Sequence, residues 1–142
     1  MKLAVCLAVL AFSPSPALAE TSKIERTYTQ PWEKQIGYAQ IVRHGDTLYI
    51  SGVVADGKTL ADQMTAIYGE IGTLLQPYGA DSSDIVRETI YTRDIEALKA
   101  AIPVRKTFYT GDIYPAATWV QVQRLYNDEN LIEIEVEVAL KP

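Results

Sequence analysis

Near its end the chain reads Ile132-Glu133-Ile134-Glu135-Val136-Glu137-Val138, an unbroken alternation of branched apolar and acidic residues. Successive side chains of a β-strand point to opposite faces of its sheet. The stretch therefore predicts a strand over residues 131–140 whose apolar residues face the helices of the domain and whose glutamates lie on the opposite, open face. The simple interpretation of the glutamates is a solvated sheet face, and the alternative is a functional carboxylate.

The strand before it, predicted over residues 117–125, makes the open face less polar. Ala117 and Trp119 alternate onto one side of this strand, and Val120 and Val122 alternate onto the other. We expect the two valines to face the helices, which puts Trp119 on the open face with the glutamates. Because an exposed tryptophan is costly, we expect this face to pack against another copy of the chain.

Upstream of these two strands, the sequence alternates between extended and helical patterns. Gly45-Asp46 separates two β-rich runs and predicts a hairpin turn. The first strand is expected to end at Gln30-Pro31-Trp32. The remaining strands are predicted over residues 24–28, 38–43, 47–51 and 85–92.

Two helices are predicted between the strands. The first begins at Thr59 and contains Gly69 and Gly72, glycines that we expect to allow close packing on the sheet. The second covers residues 94–109 and is interrupted at Pro103. The order β-β-β-α-β-α-β-β predicts a single α+β domain with both helices on one face of one mixed sheet.

The first 19 residues predict a secretory signal peptide. Lys2 gives it a short positive N-terminal region, and residues 3–12 are apolar over about half the length of a membrane-spanning helix. Ala17-Leu18-Ala19 fits the small-x-small pattern for cleavage before Glu20. A buried N-terminal helix is the alternative interpretation. The domain is then expected over residues 20–142, in the bacterial periplasm or outside the cell, with no membrane association after cleavage.

Composition narrows the possible functions. Hydrophobic residues make up 48% of the 142 residues and charged residues 22%, which is typical of a folded globular domain. The formal net charge of −5 disfavours nucleic acid as a partner. One histidine, His44, and one cysteine, Cys6, cannot build a His/Cys metal centre, and no cofactor motif is present, so neither metal nor cofactor is predicted. What remains is a carboxylate on a sheet face with tyrosines near it.

Six short motifs follow one another along the chain: Ile36-Gly37-Tyr38-Ala39-Gln40, Gly45-Asp46-Thr47-Leu48-Tyr49-Ile50-Ser51-Gly52, Gly79-Ala80, Ser83-Asp84-Ile85-Val86, Tyr114-Pro115-Ala116 and Ile132-Glu133-Ile134-Glu135. In this order and at this spacing they resemble the Rid family, the reactive intermediate deaminases of the YjgF type. The resemblance covers essentially all of the chain after residue 19. It implies a chorismate-mutase-like fold and a homotrimer whose three sheets form a central barrel, with small-molecule clefts between subunits.

The resemblance also implies a site. The best-known family members hydrolyse enamines and imines to a keto acid and ammonia, and a carboxylate can move the proton of the attacking water. Glu133 occupies the position of that carboxylate and is the expected catalytic residue. The positions that match the family's cleft residues are Tyr38, Ser51, Gly52, Thr118 and Glu133.

The sequence departs from the family pattern at Ala117, where active deaminases carry an arginine that grips the substrate carboxylate. Ala117 and Trp119 share a face, so we expect the indole to fill the vacated space and both residues to contact the ligand. A cleft with Glu133 and no arginine is expected to bind a neutral or cationic molecule, such as a heterocycle stacked on Trp119.

Two function classes follow from this departure. The first is a divergent hydrolytic deaminase of imine or enamine metabolites, with the standard amino-acid imine activity disfavoured. The alternative is a non-catalytic trimer that binds small molecules or other proteins.

Overall fold

The computed structural model describes residues 23–141. The predicted signal peptide, residues 1–19, lies outside the described residues. Ten helices and strands follow one another in the described part of the chain. They are β1 (Ile24–Thr27), α1 (Pro31–Ile36), β2 (Ile41–His44), β3 (Thr47–Val53), α2 (Leu60–Leu75), β4 (Ile85–Thr92), α3 (Ile95–Ala100), α4 (Ile102–Phe108), β5 (Ala116–Gln121) and β6 (Ile132–Ala139).

These six strands form one mixed sheet in the order β1-β2-β3-β6-β4-β5. Strands β4 and β5 run parallel, and every other neighbouring pair is antiparallel. Strand β6 is therefore central, and its four apolar residues, Ile132, Ile134, Val136 and Val138, are at most 2% exposed. Helices α2, α3 and α4 cover this face of the sheet. The prediction of an α+β domain with its main helices on one face of a mixed sheet is confirmed.

Helix α2 begins where the sequence predicts. Thr59 Oγ1 accepts a hydrogen bond from the backbone N–H of Asp62 at 3.2 Å, and the Asp62 carboxylate accepts one from the backbone N–H of Thr59 at 3.1 Å. This reciprocal capping box satisfies two backbone donors at the start of the helix. The side chains of Met64, Ile67 and Ile71 then pack fully buried in the core against the sheet.

Gly69 and Gly72 do not pack against the sheet, so that prediction is wrong. A Cβ atom added at Gly69 would meet nothing within 4 Å, and one added at Gly72 would meet only the ring of Phe108, at 3.8 Å. The apolar stripe of α2 takes the sheet side, and Gly69 lies about 200° around the helix from Ile67. Both glycines line a groove between α2 and α4 instead.

The face assignment for β5 is also wrong. In the parallel β4–β5 pair, Ala117 lies beside Glu88, which is fully buried on the helix-bearing face. Trp119 follows on that same face, with its ring 5.3 Å from the guanidinium carbon of Arg105. Val120 takes the open face instead and is 40% exposed. Because both sets of side chains are apolar, alternation alone could not choose between them, and the argument that Trp119 needs a second copy of the chain loses its premise.

The helix-bearing face also holds a buried ion pair. One oxygen of the Glu88 carboxylate accepts hydrogen bonds from Arg105 Nε and Nη2, both at 2.8 Å. The other oxygen accepts from the hydroxyls of Tyr68 at 2.7 Å and Tyr109 at 2.8 Å. Burial and the charge of Glu88 raise the pKa of both tyrosines, so both stay protonated donors. The buried charge is thus paired and satisfied on both of its oxygens.

Candidate functional site

A β-bulge in β3 positions the predicted carboxylate. Ile50 pairs with Val136 and Val53 pairs with Ile134, so β3 advances three residues while β6 advances two. The extra residue places Gly52 directly against the Glu133 side chain. A Cβ atom at Gly52 would lie 1.9 Å from Glu133 Oε1, so only glycine leaves room for the carboxylate there.

Helix α1 and the segment after it supply the next wall. The buried Glu33 carboxylate accepts hydrogen bonds from the backbone N–H groups of Thr29 at 3.0 Å, Gln30 at 2.9 Å and Gln40 at 3.3 Å. The helix ends at Gly37, whose φ of 101° is in the left-handed region that glycine tolerates. This cluster fixes the path of the chain through residues 38–40.

That segment then docks on the bulge. The backbone N–H of Ser51 donates to Gln40 O at 3.0 Å, and Gln40 Nε2 donates back to Ser51 O at 3.1 Å. Ser51 Oγ donates to Ala39 O at 2.8 Å. Tyr38 is thereby held beside Gly52, and its ring centroid lies 5.9 Å from that of Trp32. The hydroxyl of Ser51 is a structural donor here and remains able to accept a hydrogen bond from a ligand.

These elements enclose a cavity of about 510 Å³ on the open side of the sheet. Four of the predicted site residues meet in it, namely Tyr38, Ser51, Gly52 and Glu133. Glu133 is the only charged residue among those that line it, and most of the wall is apolar or aromatic. The lining residues are Trp32, Ile36, Tyr38, Ser51, Gly52, Val54, Tyr126, Asn127, Asn130 and Glu133.

The surroundings of Glu133 in the cavity make its charged form less favourable than that of an exposed glutamate. Burial raises the pKa of its carboxyl group, and the nearby charge of Glu135 on the same strand raises it further. Burial also raises the pKa of the Tyr38 hydroxyl, with smaller contributions from the charges of Glu33 and Glu133. A carboxyl group whose pKa is moved toward neutrality can both take and return a proton.

The far wall comes from the loop before β6. Gln63 of α2 holds this loop, because its side-chain amide donates to Glu129 O at 2.9 Å and accepts from the backbone N–H of Leu131 at 2.8 Å. Asn130 lies between these two anchors and is 8% exposed. Its Nδ2 atom is buried without a hydrogen-bond partner. Tyr126, in the same loop, is 74% exposed at the mouth of the cavity.

Comparison with known proteins places the chain in a family. The sequence model of the family described as Endoribonuclease L-PSP matches residues 30–140, most of the chain. The chain belongs to this family. A RutC family protein from Pyrococcus horikoshii is 31% identical over 120 residues, which cover 78% of this chain and 94% of that protein. A RutC family protein from Saccharolobus solfataricus is 31% identical over 121 residues, covering 79% of this chain and 94% of that one.

Solved structures agree. A YjgF family member from Mycobacterium tuberculosis is 27% identical, with a TM-score of 0.76 over 83% of this chain and all of that one. A YjgF family member from Neisseria meningitidis has the same fold, with a TM-score of 0.76 at 23% identity over 87% of this chain and 99% of that one. The predicted resemblance to YjgF-type Rid proteins and the predicted fold are confirmed.

Three of the predicted ligand contacts of this L-PSP family chain lie outside the cavity. Ala117 and Trp119 face the helices, and Thr118 lies on the open face of β5 beside Thr89. Strand β4 separates β5 from β6, so these residues are two strand spacings, about 9.6 Å, from the strand of Glu133. Within one subunit they do not meet Glu133, and their contact with a ligand stays a prediction for an assembly of subunits.

Several residues that line the cavity were not predicted from the sequence. Trp32 and Ile36 lie on α1, a helix of six residues. The sequence predicted only the end of a strand in this stretch, although Pro31 and Glu33 in the first turn are signals for the start of a helix. Tyr126 and Asn130 lie in a loop interpreted only as a turn. No local pattern marks a turn residue as cavity-lining, because the cavity joins segments distant in sequence.

The described chain offers no site for a metal and no membrane span. Among residues 23–141, no group of three or more histidine, cysteine, aspartate or glutamate side chains is arranged to hold a metal ion. No helix in this range is long and apolar enough to cross a bilayer. The lining residues of the cavity supply one carboxyl group, hydroxyls, amides and aromatic rings.

Proposed function

We propose that this protein hydrolyses the C=N bond of small imines or enamines that carry no carboxylate, in the cavity beside Glu133. The observation that supports this function is a single carboxyl group, half-buried in an otherwise uncharged cavity, whose pKa is raised by burial. Membership of a family that resembles imine deaminases supplies the reaction class. The charge and lining of this cavity supply the preference for neutral or cationic substrates.

The reaction needs one group that moves protons. The oxygen of water bonds to the C=N carbon while the Glu133 carboxylate accepts one proton from that water and passes it to the nitrogen, which gives a carbinolamine. Glu133 then accepts the hydroxyl proton of the carbinolamine and delivers it to the nitrogen as the C=O bond forms and the C–N bond breaks, which releases ammonia. Both protons of the water end on ammonia, so no further reactant is required. An enamine enters the same route after it isomerises to the imine.

Charge sets the substrate preference. No lysine, arginine or histidine is among the lining residues of the cavity, so a substrate carboxylate would find no cation. The deprotonated form of Glu133 would also repel it, in a cavity where the low dielectric strengthens that repulsion. Arg105 cannot substitute for the arginine missing at position 117, because its guanidinium is buried against Glu88 on the other face of the sheet.

The proposal includes a homotrimer that is exported to the periplasm or beyond. Trp32 is 47% exposed and Tyr126 is 74% exposed at the mouth of the cavity. Exposed aromatic surface of this kind is typical of a contact with another protein chain. A neighbouring subunit would close the cavity, and the contacts predicted for the exposed residues Ala117 and Thr118 of β5 would come from that subunit, whereas Trp119 packs against the core. Light scattering of the purified protein tests the trimer, and fractionation of cells that express the full chain tests the location.

The alternative function is binding without turnover. Ala117 favours it, because the residue that anchors substrate in active deaminases is absent. The two functions differ in whether a Glu133 variant changes a rate or only an affinity.

The deciding experiment compares two sets of imines generated in situ. A flavin-dependent amine oxidase supplies imines without a carboxylate, and an amino-acid oxidase supplies imines with one. We expect the protein, expressed from the complete sequence, to accelerate ammonia release from the first set and not from the second. Glu133→Gln should abolish the acceleration, and Ala117→Arg tests whether an arginine restores the second set. Equal rates for wild type and Glu133→Gln would refute the proposed function in favour of simple binding.

A further inference from the structure

Asn130 is a buried amide without a partner. It is 8% exposed, it lines the cavity, and no group in residues 23–141 accepts a hydrogen bond from its Nδ2 atom. Buried polar groups in folded proteins almost always have partners, so an exception calls for an explanation. Because Asn130 lines the cavity, an acceptor atom on a molecule bound there is the candidate for the missing partner.

The loop that carries Asn130 is held on both sides. Its own backbone N–H donates to Asn127 O at 3.3 Å. The next residue, Leu131, accepts a hydrogen bond from the backbone N–H of Arg93 at 2.9 Å and donates one to Gln63 at 2.8 Å. The amide is therefore presented from a fixed backbone, as a specific contact requires.

The rest of the cavity defines the molecule that would supply the acceptor. Trp32 and Tyr38 form a wall of two tilted rings, 5.9 Å between centroids and 59° between planes, which suits a flat ligand. Glu133 offers an acceptor in its ionised form and is the only charge in the lining. A carboxylate ligand would satisfy Asn130 but would meet Glu133 with the same sign of charge. A simple amine would satisfy Glu133 but leave the amide unpaired.

We propose that Asn130 is a specificity-determining residue that donates, through Nδ2, to a carbonyl-type oxygen of a flat, uncharged ligand whose N–H group faces Glu133. The ligand class is an amide or a related molecule in which a carbonyl oxygen and an N–H group are close together. This inference rests on the proposed function because it concerns the same cavity. It concerns binding alone, and it holds whether or not the ligand is turned over.

Three ring compounds of similar size serve as probes: benzamide, benzoate and toluene. They differ only in carrying a carbonyl with N–H groups, a carboxylate, or neither. Binding is measured by calorimetry and by quenching of tryptophan fluorescence, with the protein expressed from the complete sequence. We expect benzamide to bind more tightly than the other two. Asn130→Ala should weaken benzamide about five- to tenfold, the effect of one lost hydrogen bond, and leave toluene unchanged.

Two further variants keep the test independent of folding. Asn130→Asp preserves the shape of the side chain but removes the donor, and it should weaken benzamide at least as much as Asn130→Ala. Glu129→Gln, in the same loop but outside the lining of the cavity, is the matched control and should leave all three affinities unchanged. The melting temperature of Asn130→Ala should not fall, because the variant deletes an unpaired buried group.

The outcomes separate this inference from the proposed function. Loss of turnover in every assay, with benzamide binding that depends on Asn130, would end the hydrolase proposal and leave this one standing. Equal benzamide affinity in wild type and Asn130→Ala would overturn the role of Asn130, even if the protein hydrolyses imines. Tighter binding of benzoate than of benzamide would overturn the ligand class.

Discussion

Replacing Gly52 by alanine should displace the Glu133 carboxylate and leave the stability of the fold nearly unchanged. The new Cβ atom would lie 1.9 Å from Glu133 Oε1, 2.7 Å from its Cδ and 2.9 Å from its Cγ. Non-bonded atoms pack at about 3.5 Å or more, so the carboxylate must move by more than about 1 Å. All three atoms belong to the far end of a flexible side chain. The displacement therefore costs roughly 0.5–1.5 kcal/mol in rotamer strain.

The cost to stability is offset by the gain from removing a glycine. Gly52 does not have a positive φ, so alanine fits its backbone, and the substitution is worth about 0.5–1 kcal/mol in a strand. We expect the free energy of unfolding, measured by urea denaturation, to stay within about 1 kcal/mol of wild type. The rate of imine hydrolysis should fall about 100-fold, the usual effect of misplacing a catalytic group by about 1 Å.

The control makes the same chemical change elsewhere. Gly69→Ala adds a methyl group with no neighbour within 4 Å, on the outer side of α2. It should leave the rate unchanged and raise the free energy of unfolding by about 0.5–1 kcal/mol. A Gly52→Ala protein with the wild-type rate would refute the reasoning, because it would show that the carboxylate has no required position. A loss of more than about 3 kcal/mol of stability would refute the claim that Glu133 yields rather than the backbone.

Three further results are expected. Glu88→Ala should lower the free energy of unfolding by about 3–5 kcal/mol in urea denaturation, because it leaves Arg105 buried and unpaired, and Glu88→Leu combined with Arg105→Met should recover much of this loss. The raised pKa of Glu133 means that the folded state holds a proton that the unfolded chain has released, so the stability contribution of this carboxyl is present below the ordinary glutamate pKa and is lost as the pH rises through the raised value. Unfolding curves across that window should show a larger decline in wild type than in Glu133→Gln, where Glu70, whose pKa is also raised, still titrates, while the hydrolysis rate of the wild type rises as the Glu133 carboxyl ionises. Gln63→Leu should lower the free energy of unfolding by about 1–3 kcal/mol and weaken benzamide binding, because the loop of Asn130 loses its two hydrogen bonds to the Gln63 side chain. Scanning calorimetry measures the change in stability, and titration calorimetry measures the change in affinity.

The parts of the fold that the sequence predicts best depend on strict periodicity or local capping. Strand β6 alternates without exception, and α2 carries both halves of its capping box at Thr59 and Asp62. The predicted face assignment of β5 was wrong because Trp119 and Val120 are both apolar. Only the pairing with β4 determines which of them faces the helices. Helix α1 was not predicted from the sequence, because its position depends on contacts of Glu33 with residues on either side of the helix.

The site divides in the same way. Tyr38, Ser51, Gly52 and Glu133 were predicted because family motifs mark them, and the structure brings them to one cavity. Asn130 carried no such mark, because an unpaired amide exists only in relation to the packing around it. A bulge of one residue in β3 and a side chain reaching from α2 create that packing, and neither is visible as a local pattern.

Alternate residues of β6 have different roles, because one set packs in the core and the other set lies on the open face. Even-numbered positions from 132 to 138 are locked in the core, while Glu133 and the glutamates after it stand on the open face, free of that packing. Replacing Glu133 changes the charge and shape that the cavity offers to a ligand without disturbing the helices behind the sheet. Descent with modification can therefore alter what such a cavity recognises one substitution at a time, while the scaffold stays unchanged.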